Sequence, residues 1–127
     1  MIRVLAIASL LLLAAPVASQ AHGETTRELC DRRGGATMEQ VQCFAGSRVA
    51  EDARLNRVYK ALMARLKPAQ RLALRDEQRA WIKDRDAACL PYYDETQYGQ
   101  QGKVDGEECI IDRTILRANA LARIGRR

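Results

Sequence analysis

Two long runs of helical periodicity, separated by a proline, constrain the fold of this chain more than any other feature. The first run begins at Thr37, which has Gln40 three residues further on, the spacing of an N-terminal capping box. Its repeating side chains then follow at steps of three and four residues: Val41, Ala45, Val49, Asp52, Leu55, Asn56, Tyr59, Leu62, Met63 and Leu66. This spacing predicts an amphipathic helix of about 29 residues.

The second run follows Pro68, a residue that suits the first turn of a helix and disfavours helical geometry just before it. It continues to about Leu90 and ends at Pro91. Because only a short link separates the two runs, we expect an antiparallel hairpin of helices. A third helix is predicted to start near Cys109, with this inner face: Ile111, Thr114, Ile115, Ala118, Leu121 and Ala122. Strand signals are absent, so the sequence predicts an all-α fold, a long-helix hairpin plus a C-terminal third helix.

Residues 1–21 have the pattern of a secretory signal peptide. Arg3 gives a positive start, an apolar run of about a dozen residues follows, and Ser19 and Ala21 supply small residues at the cleavage positions. The apolar run is shorter than the roughly 20 residues that span a bilayer. We therefore predict that residues 22–127 form one exported domain that does not span the membrane, located in the periplasm, with secretion beyond it as the alternative.

Four cysteines follow the signal peptide: Cys30, Cys43, Cys89 and Cys109. In an exported chain, four cysteines indicate two disulfides, because the compartment is oxidising. Zinc is the alternative for a four-cysteine set, but the paired C-x-x-C spacing of zinc ribbons is missing. Two cross-links are therefore expected, and the cysteine count alone allows three pairings.

The residues that common catalytic sites need are scarce. After the signal peptide the chain has one serine, Ser47, and one histidine, His22, which would lie at the new N-terminus. A Ser-His-Asp site would require that unstructured terminus to reach the middle of a helix. A glycine-rich phosphate loop and an H-E-x-x-H motif are both missing. The sequence predicts neither an enzyme nor a cofactor or metal site.

The charge is distributed unevenly along the chain. The full chain has a net charge of +5, and removal of Arg3 with the signal peptide leaves +4. Between Pro91 and Glu108 the net charge is −4, so the remainder of the exported part has +8. One helix has a row of bases, Arg71, Arg75, Arg79 and Lys83, without aromatic residues between them in that row. Because stacking on bases needs such aromatics, we do not expect a nucleic-acid partner.

Residues 92–108, the acidic segment, are predicted to form an irregular loop, because Gly99, Gly102 and Gly106 interrupt any regular period. Tyrosines often anchor interfaces, and acids steer a cationic partner toward them. The candidate partner-binding residues are Tyr92, Tyr93, Asp94, Glu95, Tyr98, Asp105, Glu107 and Glu108. A solvated polar loop without a partner is the alternative interpretation.

Polar side chains interrupt the apolar faces of all three predicted helices. They are Asp52, Asn56, Tyr59, Gln78, Trp81, Arg85, Asp86, Thr114 and Arg117. If the faces meet, a buried Asp52 or Asp86 must pair with Arg85 or Arg117, because an unpaired buried charge is costly. We expect these residues to form a structural polar network.

Three motifs give the chain a resemblance to a known family. The motif C-x8-D-x-x-L-N-x-x-Y begins at Cys43, L-R-x-x-Q-R-x-W-x-x-x-R-D-x-x-C begins at Leu74, and C-x4-T-x-x-R-x-x-x-L begins at Cys109. With them the sequence resembles the lysozyme-inhibitor LprI-like N-terminal domain family from about Cys30 to Leu121.

The resemblance implies a small exported all-α domain with two disulfides, from a family named for inhibition of lysozyme. Of the three pairings we expect Cys30 with Cys43 and Cys89 with Cys109, because each closes a local loop. Lysozymes are generally cationic, so the acidic segment is the surface that such an enzyme would meet. The leading hypothesis is an inhibitor of lysozyme-type muramidases. The alternative is an envelope protein that binds an anionic cell-wall or lipid component, and the oligomeric state is left open.

Overall fold

In a computed structural model of the chain, residues 25–126 are described, and the signal peptide predicted at residues 1–21 lies outside them. The elements in this part are α1 Thr26–Arg33, α2 Thr37–Arg65, α3 Pro68–Cys89, a 3₁₀ helix Leu90–Tyr93, α4 Glu95–Tyr98 and α5 Gln101–Gly125. Between residues 25 and 126 there is no strand, and the all-α prediction is confirmed. No helix in this range is both long and apolar enough to cross a membrane.

The three long helices run up, down and up. At the link between α2 and α3, Leu66 and Lys67 both have extended backbone angles, and Pro68 is the first residue of α3. The hairpin returns far enough for Arg85 of α3 to approach Asp52 of α2. Helix α5 is parallel to α2, because Arg48 pairs with Glu107 near one end and Arg65 bonds the Gly125 carbonyl at the other. The two helices therefore have their C-terminal halves side by side.

Helix α5 completes both halves of the core. One cluster joins α2, α3 and α5 through Leu55, Leu62, Leu74, Ala118 and Leu121. The other joins α1, α2 and α5 through Cys30, Phe44, Val104 and Ile111. The buried side of the first half of α2 is therefore the row Phe44, Ser47 and Glu51, while Val49, predicted to face inward, is 68% exposed. The buried face of α2 therefore differs from the predicted one, because α1 and α5 cover the side with Phe44, Ser47 and Glu51.

Both disulfides have the predicted partners. Cys30 is bonded to Cys43 and ties α1 to the first turns of α2. Cys89 is bonded to Cys109 and ties the end of α3 to α5. The second bond therefore closes the chain on both sides of the acidic segment.

Two expectations at the N-terminal side need correction. Thr37 does not cap α2: Ala36 is the N-cap residue with an extended backbone, and Thr37 is already helical. A side chain can cap only from the position before the first helical residue, which explains the failure. Helix α1 was not predicted; it has its own capping box, in which Thr25 and Glu28 bond each other's backbone N–H groups.

The acidic segment is not the irregular loop that its glycines suggested. Residues 90–93 form the 3₁₀ helix, residues 95–98 form α4, and α5 begins at Gln101, eight residues before the predicted start at Cys109. Gly102, Val104, Gly106 and Glu107 are buried in this first part of α5. A repeat at steps of three and four, from Val104 through Glu107 to Ile111, continues the inner face of the helix toward its N-terminus.

Candidate functional site

Glycines hold the acidic segment against the bundle. A Cβ atom added to Gly106 would lie 2.5 Å from the ring of Tyr93, and one added to Gly102 would collide with the carbonyl oxygen of Tyr92. Both glycines therefore allow the 3₁₀ helix to lie directly on α5. Gly99 is different, because its φ of 63° turns the chain between α4 and α5.

The close contact at Gly102 can be tested with a matched pair of glycines. We expect Gly102→Ala to lower the free energy of unfolding by about 2 kcal/mol, because the methyl group meets rigid backbone. Gly46→Ala, in open space within α2, should raise that free energy by up to about 1 kcal/mol through helix propensity. Urea unfolding measures both; equal effects of the two substitutions would contradict the proposed role of Gly102.

A buried carboxylate fastens the 3₁₀ helix to α2 and α5. Glu107 is 5% exposed and lies 2.8 Å from the Nε of Arg48. The hydroxyl of Tyr93 donates to the other Glu107 oxygen, also at 2.8 Å. Burial and this hydrogen bond to Glu107 raise the pKa of Tyr93 well above its usual value, so the phenol remains a donor. Glu107 and Tyr93, predicted to bind a partner, are thus engaged within the protein.

Other members of the acidic segment are exposed at its outer edge. Asp94 caps α4, accepting from the backbone N–H and hydroxyl of Thr96 at 2.9 and 2.6 Å. These two bonds lower the pKa of Asp94. Glu95 pairs with Lys103, and Tyr98 is 38% exposed, with its ring centroid 5.2 Å from that of Tyr92. The edge combines the exposed Tyr98 and the half-buried Tyr92 with the exposed carboxylates of Asp94 and Glu95.

A second group of acids lies where α1 meets α5. Burial raises the pKa of Glu108, nearby Arg27 lowers it, and the neighbouring Asp31 and Asp105 raise it again. Asp31 belongs to α1, so its place beside Glu108 was not apparent from the sequence. Asp31 is also 2.9 Å from the Nη1 of Arg27.

We use the term acidic end for the exposed and half-buried residues of these two groups. They are Asp31, Tyr92, Asp94, Glu95, Tyr98, Asp105 and Glu108. The Cys89–Cys109 disulfide and the Glu107 contacts hold this end in place. Carboxylates and phenols on a fixed surface can attract and contact a cationic protein.

The predicted polar network lies between α2, α3 and α5. Arg85 is 15% exposed in its side chain and contacts Asp52 at 3.4 Å and Asp86 at 2.9 Å. It also lies 3.5 Å from the hydroxyl of Thr114, which donates to the Ile110 carbonyl. Both acids named in the sequence prediction therefore form ion pairs with Arg85.

Arg117 completes the network from α5. Its Nε donates to Gln78 at 2.8 Å and its Nη1 to Glu77 at 2.7 Å, a partner that the sequence prediction missed. The guanidinium carbons of Arg85 and Arg117 lie over the ring of Trp81, at 5.3 and 5.9 Å from its centroid. These contacts link three helices and favour a structural role.

Two predicted members lie outside this network. Asn56 is exposed, and Tyr59 packs against the apolar cluster of α2, α3 and α5. Ser47 is 2% exposed and shares a hydrogen bond of 2.9 Å with the hydroxyl of Thr26. Within residues 25–126, no three His, Cys, Asp or Glu side chains are arranged to hold a metal ion.

Comparison with models of known protein families gives a match over most of the described residues. A family model described as "Lysozyme inhibitor LprI" matches residues 30–121, which include all four cysteines, the network and the whole acidic segment. No curated protein and no solved structure matches the chain.

Proposed function

The chain belongs to the lysozyme inhibitor LprI family, and we propose that it inhibits lysozyme-type muramidases by binding them through its acidic end. The family match and the two disulfides point to a protein that folds outside the cytoplasm, where thiols are oxidised. The periplasm is our proposed location.

The observation that carries this proposal is the exposed Tyr98, which contacts Tyr92 and has the exposed carboxylates of Asp94 and Glu95 beside it. Aromatic residues on a rigid support make efficient anchors, since little conformational entropy is lost when they bind. Acids around them accelerate encounter with a cationic lysozyme. The rest of the exported chain is basic, so the acidic end is the part that such an enzyme would approach.

Inhibition without catalysis fits this arrangement. The one serine of the described part is buried in a hydrogen bond with Thr26. Glu107, the most buried acid of the acidic segment, is occupied by Arg48 and Tyr93. The side chains that remain accessible at the acidic end are carboxylates and phenols that can contact a partner. We propose that the protein inhibits by covering the surface of the enzyme that its substrate would reach.

Neutralising two acids at the edge tests the proposal. We expect the combined change Asp94→Asn and Glu95→Gln to weaken inhibition of lysozyme about tenfold at low salt, because steering is reduced. Asn retains the capping ability of Asp94, so the fold of α4 should persist. The difference should shrink at high salt, where exposed charges are screened. Lysis of cell-wall substrate by lysozyme, with added oxidised protein, provides the measurement.

The matched control removes two acids from α3 instead. Asp76→Asn with Asp84→Asn changes the net charge equally at exposed positions of α3 that do not belong to the acidic end, and inhibition should change little. Absence of inhibition at micromolar protein, across lysozyme classes, would reject the function. Equal effects of the two pairs would reject the acidic end as the contact surface.

A further inference from the structure

The fold gathers basic residues at the end of the bundle opposite the acidic segment. Residues 53–75 contain seven bases and no acid, and residues 113–126 contain four bases and no acid. These stretches are distant in sequence, but α5 is parallel to α2, so the C-terminal parts of the two helices are neighbours. The link between α2 and α3 lies at the same end.

Six exposed cations define what we call the basic end. They are Lys60, Arg65, Lys67, Arg71, Arg123 and Arg126. None of the six has an ion-pair partner within the described part of the chain. Arg65 donates to the Gly125 carbonyl and Arg71 to the Leu66 carbonyl, which orients the guanidinium groups without neutralising them. The positive charge of this end is therefore available to a partner.

Apolar surface lies directly beside these cations. A groove of about 400 Å³ has Tyr59, Met63 and Ala64 in its lining, together with Lys60 and Arg71. A second groove, of about 290 Å³ between α2 and α5, has a mainly apolar lining that includes Val58, Leu62 and Leu121, with Arg65 and Arg126. Leu72 and Ile124, near the same end, are 54% and 50% exposed.

We propose that the basic end docks on a membrane surface that contains anionic phospholipid. Unpaired Lys and Arg side chains are attracted by the phosphate headgroups, and neighbouring apolar side chains enter the boundary between headgroups and acyl chains. An anionic polymer such as a phosphorylated glycan would use the charges alone. The exposed Leu72 and Ile124 and the apolar linings of both grooves therefore favour a lipid surface over a polymer.

Docking by this end would also orient the molecule. The 22 residues of α3 separate the basic end from the acidic end by about 33 Å. An anionic surface repels the carboxylates while it attracts the cations, so the acidic end faces away from the membrane. Presentation of that end to a muramidase rests on the proposed function, whereas the docking itself does not.

Sedimentation with lipid vesicles tests the docking, using the oxidised exported chain without lysozyme. We expect binding to vesicles of phosphatidylcholine mixed with phosphatidylglycerol, little binding to phosphatidylcholine alone, and weaker binding at high salt. Lys60→Gln with Arg126→Gln, one residue from each groove, should weaken binding about 25-fold, at roughly fivefold per cation. Leu72→Gln with Ile124→Gln should weaken it roughly tenfold, since apolar contact is lost.

The control pair is Arg79→Gln with Lys83→Gln, which removes the same charge from exposed positions further along α3 and should have little effect. The proposal is overturned if vesicles with and without phosphatidylglycerol bind alike, or if the control pair weakens binding as much as the groove pair. It is also overturned if immobilised polyphosphate retains the protein while the Leu72 and Ile124 substitutions leave vesicle binding unchanged, the outcome for a polymer site. Because no lysozyme is present, these outcomes are independent of the inhibition assay.

Discussion

Reduction of both disulfides is expected to lower the free energy of unfolding by about 6 kcal/mol. The bonds join residues 13 and 20 positions apart in sequence. Closing loops of this size restricts the unfolded chain by about 3 kcal/mol each. A domain of this kind has a total stability of about 5 to 15 kcal/mol, so the reduced protein should be largely unfolded at modest temperature. Thermal unfolding followed by circular dichroism, with and without a thiol reductant, measures the effect.

Removing the bonds one at a time separates stability from function. Replacement of Cys30 and Cys43 by Ala should loosen α1 only in part, because the contacts of Thr26 with Ser47 and of Arg27 with Asp112 still hold it on the bundle. Replacement of Cys89 and Cys109 should loosen the base of the acidic end and reduce lysozyme inhibition more strongly at equal folded fraction. If both paired replacements changed lysozyme inhibition equally, the proposed role of the Cys89–Cys109 bond in inhibition would be refuted. If reduction left the unfolding temperature unchanged, the proposed role of the two bonds in stability would be refuted.

The parts of the fold that follow from local signals were predictable. Helix α3 begins at Pro68 and ends just before Pro91, because proline fits the first turn of a helix and disfavours its interior. Helix α2 has the predicted extent, Thr37–Arg65, and continues across Gly46, although the side that it buries in its first half is not the predicted one. Such signals depend on neighbours three and four residues apart, which the sequence displays directly.

The start of α5 was mispredicted because glycine has two uses. In the sequence, Gly102 and Gly106 indicate an irregular loop, whereas in the structure each allows a close approach of the 3₁₀ helix. Only the position of a second segment distinguishes these uses, and that position is not a local property. The continuing repeat from Val104 to Ile111 was the signal that a longer window would have detected.

Prediction of the candidate site from the sequence depended still more on how the helices pack together. The pairing of Arg85 with Asp52 was expected from the hairpin and from the cost of a buried acid, but the buried member of the pair is Arg85, whose side chain is 15% exposed, against 40% for Asp52. In contrast, the place of Asp31 near Glu108 requires that α1 pack against α5, and the two basic stretches share one end because α5 runs parallel to α2. The sequence shows which residues are charged. Whether the acids and the bases gather at opposite ends of the bundle depends on the directions in which the helices run.

Glu107 depends on both local sequence and helix packing. It belongs to the repeating inner face of α5, and it is also the partner of two distant residues, Arg48 and Tyr93. Its side chain is only 6% exposed, whereas that of Arg48 is 39% exposed. If Glu107 is removed, Arg48 can be hydrated in part, but the hydroxyl of Tyr93 loses its acceptor. The larger part of the cost therefore arises from the contact between the 3₁₀ helix and α5.

We expect Glu107→Ala to lower the free energy of unfolding by about 3 kcal/mol, since two hydrogen bonds to a buried charge are lost and a cavity is left. For a domain of this size the unfolding temperature should fall by roughly 12 °C or more. Glu108→Ala is the matched control, with the same charge removed at the adjacent, less buried position, and should change the stability by less than about 1 kcal/mol. If Glu107→Ala were as mild as Glu108→Ala, the acidic segment would be held by the disulfide and glycine contacts without the carboxylate. The pKa of Tyr93 should also fall in Glu107→Ala while staying above its usual value, because burial, its largest cause, remains; ultraviolet titration of the phenol measures this part of the shift.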